Sequence, residues 1–253
     1  MPVRPLGSTL ALLLVLQLSG VVLLAASPSA AALLEKAKMK IEVAELRTEY
    51  NENPIGIDAR RPRFCWQIHS AERGVVQSGF QIRVAMSERG LGVEGGTIWD
   101  SGKVSSDESV HRVYEGPPLK SGQRYYWQVR IWDGAGTPSD WSAPAYWEMG
   151  LLEPTDWQAD WIEPDLQEDA SKTGPVPMLR SAFKVSGEVQ QARAYVTSHG
   201  LYEIHLNGRR VGDQLFTPGW TSYNKRLQYQ TYDVTSLLVP GPNAVGAVVG
   251  NGW

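Results

Sequence analysis

Hydrophobic and polar positions alternate along much of the chain between residues 192 and 211. A period of two residues places successive side chains on opposite faces of an extended segment, and it predicts β-strands. The alternation stops at Asn207-Gly208 and resumes at Arg209. Both turn residues tolerate the positive φ of a type I′ turn, so the stretch predicts a β-hairpin. The hydrophobic series is Ala192, Ala194, Val196, Tyr202, Ile204 and Leu206.

Short strand candidates also recur in the first half of the chain, between turns rich in Gly, Pro and Ser and with almost no helical periodicity. This organisation favours a β-sandwich. Tyr125 follows a turn and begins an alternating strand, an arrangement that resembles the tyrosine corner of fibronectin type III domains. We therefore predict an all-β chain that begins with a fibronectin type III-like sandwich whose aromatic residues form the core. The first strand is predicted to begin at 41–43, and the later strands are predicted at 63–70, 79–86, 97–101, 111–114, 125–133 and 145–149; residues 53–58 are predicted as a turn-rich connection, and 139–142 resemble the start of the last strand.

The amino terminus has the features of a signal peptide. A positive residue, Arg4, precedes an apolar run from Leu10 to Ala26, and small residues follow Pro28. This pattern predicts a signal peptide at 1–31 and a linker at 32–40, so the mature protein is expected to be exported, either periplasmic or secreted. The alternative is an uncleaved membrane anchor. No later segment is apolar enough to span a membrane once the signal is removed.

Composition excludes several classes of protein. The 253-residue chain has a net charge of −3 and no Lys/Arg run, which argues against a nucleic acid partner. Cys65 is the single cysteine, so no intramolecular disulfide can form. The four histidines lack zinc-site spacing. Ten Trp and ten Tyr suit a ligand-facing β protein, although sandwich cores also use such residues.

A domain boundary is predicted near residue 150, where Gly150 and Pro154 interrupt the strand pattern. The first sandwich is then 41–149, and a second β domain occupies 150–253. The chain stops one residue after Gly250-Asn251-Gly252, and stable domains seldom end in this way. We expect the second sandwich to be incomplete, with an unpaired strand edge, and the chain to be the front part of a longer protein.

Seven short motifs follow one another between residues 99 and 235, and their combination and order are more specific than any single motif. They are WDSGKV at 99–104, YYW at 125–127, DWQADWI at 156–162, GLYE at 200–203, NG at 207–208, PGWT at 218–221 and YQTYDVT at 229–235. Together they resemble the N-terminal half of a bacterial α-L-rhamnosidase of glycoside hydrolase family 78, truncated before the catalytic barrel. The resemblance covers essentially everything after the predicted signal peptide.

The resemblance implies a fibronectin-like first domain and an incomplete jelly-roll domain related to rhamnose-binding modules. In full-length members, further β domains and an (α/α)6 barrel follow. It also implies inverting hydrolysis of terminal α-L-rhamnose, which uses a carboxylic acid and a carboxylate about 6.5–9.5 Å apart. In the family both groups come from the barrel, and this chain has no long helical pattern. We therefore assign no catalytic residue, expect the chain alone to be inactive, and expect the missing C-terminal catalytic domain to be its partner.

Some family members bind rhamnose through the jelly-roll domain with a calcium ion, using polar residues in loops after the central hairpin. Here Asp213 and Gln214 follow that hairpin, and Trp220 comes shortly afterwards. The resemblance points to Asp213 and Gln214 as a hydroxyl-binding pair and to Trp220 as a stacking platform for rhamnose-containing glycans or glycosides. No cofactor is required; calcium is possible in the complete jelly-roll domain, although Gln in place of a shorter amide argues against it. The alternatives are turn-forming roles for Asp213 and Gln214 and a core position for Trp220.

Two other classes of function remain open at this point. The chain could be a stand-alone rhamnose-binding or other carbohydrate-binding module that has lost the barrel. It could also be an adhesive protein of two tandem β-sandwiches without a sugar ligand, a hypothesis that rests on fold alone.

Overall fold

The computed structural model describes residues 41–165 and 174–252; the predicted signal peptide (1–31) and linker (32–40) lie outside the described residues. The regular secondary structure of the described residues is β-strand, apart from short 3-10 helices at Glu88–Gly92, Pro154–Asp156 and Thr235–Leu237. The strands are β1 (Glu42–Thr48), β2 (Ile55–Ile57), β3 (Arg63–His69), β4 (Gln77–Ala85), β5 (Thr97–Asp100), β6 (Arg112–Val113), β7 (Arg124–Asp133), β8 (Ala145–Met149), β9 (Met178–Val185), β10 (Arg193–Val196), β11 (Leu201–Leu206), β12 (Arg209–Arg210), β13 (Gln230–Asp233) and β14 (Gly241–Gly250).

Two sheets enclose the core of the first sandwich. One sheet has the order β1-β3-β6, and the other has the order β2-β8-β7-β4-β5. Aromatic rings fill the space between them: the ring centroid of Phe64 lies 4.4 Å from that of Trp127 and 5.3 Å from that of Trp147. All three side chains are fully buried. The prediction of a β-sandwich with an aromatic core is therefore confirmed for this part of the chain.

The tyrosine corner is also present. The Tyr125 hydroxyl accepts a hydrogen bond of 2.9 Å from the backbone N–H of Lys120, and this contact ties the preceding turn to β7. Burial raises the pKa of Tyr125, while the Lys120 hydrogen bond opposes that change. The buried hydroxyl thus has the backbone partner that a polar group needs away from water.

Two segments of the first sandwich differ from prediction. Residues 53–58 contain β2, which pairs in parallel with β8, and no local pattern reveals a pairing between segments so far apart in sequence. Residues 139–142 do not begin the last strand, which starts at Ala145. Instead, Ser139 and Ser142 donate backbone hydrogen bonds to carbonyls of β7, so this segment follows β7 without a regular ladder.

The second sandwich has a four-stranded sheet, β12-β11-β14-β9, and a two-stranded sheet, β10-β13. Tyr202, Ile204 and Leu206 of β11 are buried between them, and the residues that alternate with these three are half-exposed. Asn207 and Gly208 have φ values of 51° and 79°, which fit the predicted type I′ turn. Strand β9 forms one edge of the larger sheet, with no further strand paired to it in the described residues.

Candidate functional site

The two predicted hydroxyl-binding residues lie in an exposed loop beside β11. The chain leaves the edge of this strand after Val211 and returns at Thr217, whose carbonyl accepts a 2.9 Å hydrogen bond from the Tyr202 backbone N–H. Asp213 and Gln214 lie between these two points, and both are exposed. The structure therefore places the pair on the surface, next to the predicted hairpin.

The side chain of Arg210 donates a hydrogen bond to the backbone of this loop. Its Nη2 donates to the carbonyl oxygen of Gln214 at 2.7 Å, and its Nε pairs with the carboxylate of Glu203 at 3.1 Å. The side chains of Asp213 and Gln214 make no hydrogen bond to another described residue. Their role as a hydroxyl-binding pair stays a prediction.

Trp220 lies in the next loop. It is 77% exposed, so the alternative of a core position is wrong. A cis Thr217-Pro218 bond and Gly219, with φ of 105°, precede it. Trp220 and the Asp213-Gln214 pair thus flank the return of the chain to β11, and they do not share a loop. A stacking role for Trp220 also stays a prediction.

A second exposed aromatic group, which sequence analysis missed, lies where β11 begins and β14 ends. The ring centroids of Trp161 and His199 are 4.8 Å apart, and His199 stacks on Tyr223 at 5.2 Å with an interplanar angle of 9°. The Tyr223 hydroxyl accepts a 3.0 Å hydrogen bond from the backbone N–H of Gly200. We call Trp161, His199 and Tyr223 the aromatic stack.

Glycines beneath the aromatic stack let two backbone segments approach closely. Gly200 has φ of 96°, and a Cβ there would lie 2.3 Å from the carbonyl oxygen of Gly250. A Cβ at Gly252 would lie 2.6 Å from the hydroxyl of Tyr223. These contacts explain why glycine stands at positions 200 and 252.

A buried ion-pair network joins the two sandwiches. Arg193 of β10 donates through Nε and Nη2 to the two carboxylate oxygens of Glu148 in β8, at 2.6 and 2.9 Å. The Glu148 side chain is 0% exposed and that of Arg193 is 8% exposed. Arg124 and Gln191 also bond Glu148 Oε2, and Arg193 Nη1 lies 3.0 Å from Asp233. Burial lowers the pKa of Arg193, but Glu148 and Asp233 outweigh it, so the net pKa is raised.

Tyr229 makes a second contact at this junction, with the segment that follows β8. Its hydroxyl accepts a 2.9 Å hydrogen bond from the Leu151 backbone N–H, and its ring lies edge-on to Trp157 at 5.3 Å. A Cβ at Gly150 would lie 2.3 Å from this hydroxyl oxygen. Burial raises the pKa of Tyr229. One face of the β10-β13 sheet therefore packs on the first sandwich, and the described residues belong to one compact unit.

Within 41–165 and 174–252, no group of three or more His, Cys, Asp or Glu side chains could hold a metal ion. Asp213 and Gln214 alone supply fewer oxygens than the about six to eight that Ca²⁺ takes. The described residues do not by themselves form a calcium site, and calcium stays a prediction for the complete domain. No helix in the described part of the chain is long and apolar enough to cross a membrane.

In the described part of the chain, every carboxyl group with a clearly shifted pKa has a pKa below its ordinary value. Burial by itself raises the pKa of Glu49, Asp100 and Asp233, but hydrogen bonds to each carboxylate outweigh it, so each pKa lies below its ordinary value. The Ser121 hydroxyl and backbone amides lower the pKa of Asp156. A glycosidase general acid needs the opposite shift, because it must stay protonated until it donates.

Comparisons with known proteins agree with this architecture. Residues 43–153 match the family described as "Rha78A-like, N-terminal immunoglobulin domain", and residues 187–253 match the "Alpha-L-rhamnosidase N-terminal domain". An α-L-rhamnosidase of Formosa agariphila is 38% identical over 208 residues, which are 80% of this chain and 22% of the relative. An α-L-rhamnosidase of Streptomyces avermitilis is 28% identical over 379 residues, covering 84% of this chain and 37% of the relative.

Two solved structures are also similar. The α-L-rhamnosidase from Dictyoglumus thermophilum superposes with a TM-score of 0.79 at 34% identity, over 85% of this chain and 26% of that one. The Streptomyces avermitilis α-L-rhamnosidase complexed with L-rhamnose has a TM-score of 0.77 at 29% identity, over 84% of this chain and 37% of that one. The chain thus spans only 26% and 37% of these two chains. From the two domain matches and these neighbours, the chain belongs to the α-L-rhamnosidase family and corresponds to its N-terminal region.

Proposed function

We propose that the chain is the non-catalytic N-terminal region of an exported α-L-rhamnosidase. In this proposal the whole protein hydrolyses terminal α-L-rhamnosides of glycosides or polysaccharides with inversion. The observation that carries it is the order of the two domain matches in a chain that spans 22% of the Formosa relative. The acid and the base then belong to a further catalytic domain.

The chemistry of the described carboxyl groups supports a non-catalytic role. An inverting glycosidase needs one carboxyl with a raised pKa facing a carboxylate across a space for sugar and water. Glu148, the fully buried carboxyl, is instead enclosed by Arg193, Arg124 and Gln191. A carboxylate surrounded by donors serves as a structural counter-ion. Both of its oxygen atoms are already bonded, so neither is free to protonate a leaving group.

The network around Glu148 suggests that the two sandwiches are held rigidly together. Domains joined by small polar interfaces generally move relative to each other. Here a bidentate, desolvated ion pair and the Tyr229 contact hold the β10-β13 sheet on the first sandwich. We infer that the pair of sandwiches acts as a rigid support that presents the loops around Asp213 and Trp220.

The purified 253-residue chain is expected to show no α-L-rhamnosidase activity. It should release no p-nitrophenol from p-nitrophenyl α-L-rhamnopyranoside above the buffer rate, because the proposal assigns the acid–base pair to the further catalytic domain. A full-length α-L-rhamnosidase such as the Dictyoglumus enzyme is the positive control. Turnover that co-purifies with the folded chain would show that a catalytic pair is present after all.

Export is proposed from the pattern of residues 1–31. Expression of the full chain in a bacterial host should yield a mature protein that begins at residue 32 or 33, as read from its intact mass. Replacing two residues of the apolar run, Leu13 and Leu14, by Arg should leave the precursor uncleaved. A wild-type chain that keeps Met1 and stays in the cytoplasm would contradict export.

A second candidate function, carbohydrate binding by the chain itself, is favoured by one observation. Asp213, Gln214 and Trp220 are exposed in successive loops at one edge of the second sandwich. Loops at the rim of a rigid β scaffold are a common place for binding residues. The titration below tests this candidate together with the inference that follows.

A further inference from the structure

We propose that Trp161 is the stacking surface of a separate carbohydrate site, where its indole binds one face of a pyranose ring. In this site His199 and Tyr223 hold the indole in position, and the ring nitrogens of His199 offer a polar edge to the sugar hydroxyls. The inference takes only the class of ligand from the proposed function. The arrangement of the three rings stands independently of it.

Ring contacts hold the indole of Trp161 in place. Trp161 lies outside any strand, in the irregular segment after Pro154–Asp156, so no β-ladder fixes its backbone. Its ring is in contact with His199, His199 stacks on Tyr223, and the Tyr223 hydroxyl is bonded to the Gly200 backbone. This series of contacts connects an exposed indole to the end of β11. A ring that is already held in place loses little conformational entropy when a ligand binds.

The exposed surface at Trp161 and His199 combines an apolar ring face with polar ring atoms. Trp161 remains 65% exposed despite its contact with His199. An aromatic face carries negative charge density, which attracts the weakly positive C–H groups of a pyranose face. Neither imidazole nitrogen of His199 makes a hydrogen bond to another described residue, so each can bond a hydroxyl group. An apolar face beside a polar edge matches the two surfaces of a sugar ring.

Nucleic acid and protein ligands fit this surface less well than a sugar does. Nucleobases also stack on indole, but the net charge of −3 and the absence of a Lys/Arg run give no path for a phosphate backbone. A protein partner would need a broader apolar surface. In the chain, Trp161 has Asp160 on one side and Ile162 and Glu163 on the other, and only Ile162 adds exposed aliphatic area.

The test is a titration of the purified protein with methyl α-L-rhamnopyranoside, followed by NMR of the tryptophan indole N–H signals. The Trp161 signal is assigned by its loss in Trp161→Ala. We expect a saturable shift of that signal in the wild type and binding at least tenfold weaker in Trp161→Ala, which is about 1.4 kcal/mol. Trp161→Phe should retain part of the affinity, and His199→Ala should weaken binding without removing the indole.

The matched control is Ile162→Ala, which removes exposed apolar surface from the same segment but no ring. Its affinity should equal that of the wild type. Unaltered affinity in Trp161→Ala, or no saturable binding by the wild type, would overturn the proposal. Binding that survives Trp161→Ala but disappears in Trp220→Ala or in Asp213→Ala/Gln214→Ala would also overturn it and place the sugar in the other loops. The activity assay above decides the proposed function separately, because it does not depend on Trp161.

Discussion

Replacement of Glu148 by alanine is expected to lower the free energy of unfolding by about 3–5 kcal/mol. The substitution leaves the 8%-exposed guanidinium of Arg193 without its bidentate partner and deprives Arg124 and Gln191 of the same carboxylate. An unpaired charge that stays desolvated accounts for most of the loss. The measurement is urea-induced unfolding followed by tryptophan fluorescence, with free energies compared by linear extrapolation.

Two further variants separate charge from packing at this position. Glu148→Gln keeps the shape and one acceptor oxygen, so it should lose less stability than Glu148→Ala. Glu153→Ala removes a carboxylate that pairs with Arg60 on the surface at 2.7 Å, where both side chains are more than half exposed, and it should have little effect because such pairs are screened by water. Equal unfolding midpoints for Glu148→Ala and Glu153→Ala would show that the network does not stabilise the junction.

Gly150→Ala is expected to cost about 1–3 kcal/mol, because the new methyl group overpacks the contact between the sandwiches. A Cβ at this position meets the Tyr229 hydroxyl at 2.3 Å and the Gly56 carbonyl oxygen at 3.1 Å. Tyr229 cannot move away without breaking its hydrogen bond to the Leu151 backbone N–H. The same urea titration gives the size of the loss.

A double-mutant cycle shows whether the tyrosine hydroxyl causes the loss. Tyr229→Phe alone should cost about 1 kcal/mol for the lost hydrogen bond. In the double variant with Gly150→Ala the clashing oxygen is gone, so the combined loss should be smaller than the sum. Gly187→Ala is the matched control, because a Cβ there meets nothing within 4 Å. Strict additivity would mean that the clash is relieved elsewhere.

Both predictions concern the face of the β10-β13 sheet that carries Arg193, Tyr195 and Tyr229. In the sequence Arg193 and Tyr195 belong to the polar half of an alternating pattern, which is typical of a solvent-facing surface. In the structure all three residues face Glu148, Gly150 and their neighbours in the first sandwich. The periodicity therefore identified which residues share a face of the sheet. It could not show that residues of the first sandwich, far away in sequence, cover that face.

The candidate site was predictable only in part. The exposure of Asp213 and Gln214 follows from their place after the hairpin, since loops lie on the surface. The aromatic stack could not be predicted in this way. Trp161, His199 and Tyr223 come from three separate irregular segments that have no common period, and they meet beside the close approach of Gly200 to Gly250 and Gly252.

Local chemistry was sufficient for much of the fold. The Asn207-Gly208 hairpin, the tyrosine corner at Tyr125 and the alternation of β11 each depend on backbone preferences or on contacts within a few residues, so the amino-acid order specifies them directly. The parallel pairing of β2 with β8, the Glu148–Arg193 ion pair and the aromatic stack required the folded chain. The physical reason is that each of these contacts joins segments that are far apart in sequence, so no local sequence pattern encodes it. The geometry of each contact is set by how the two sandwiches and their loops pack.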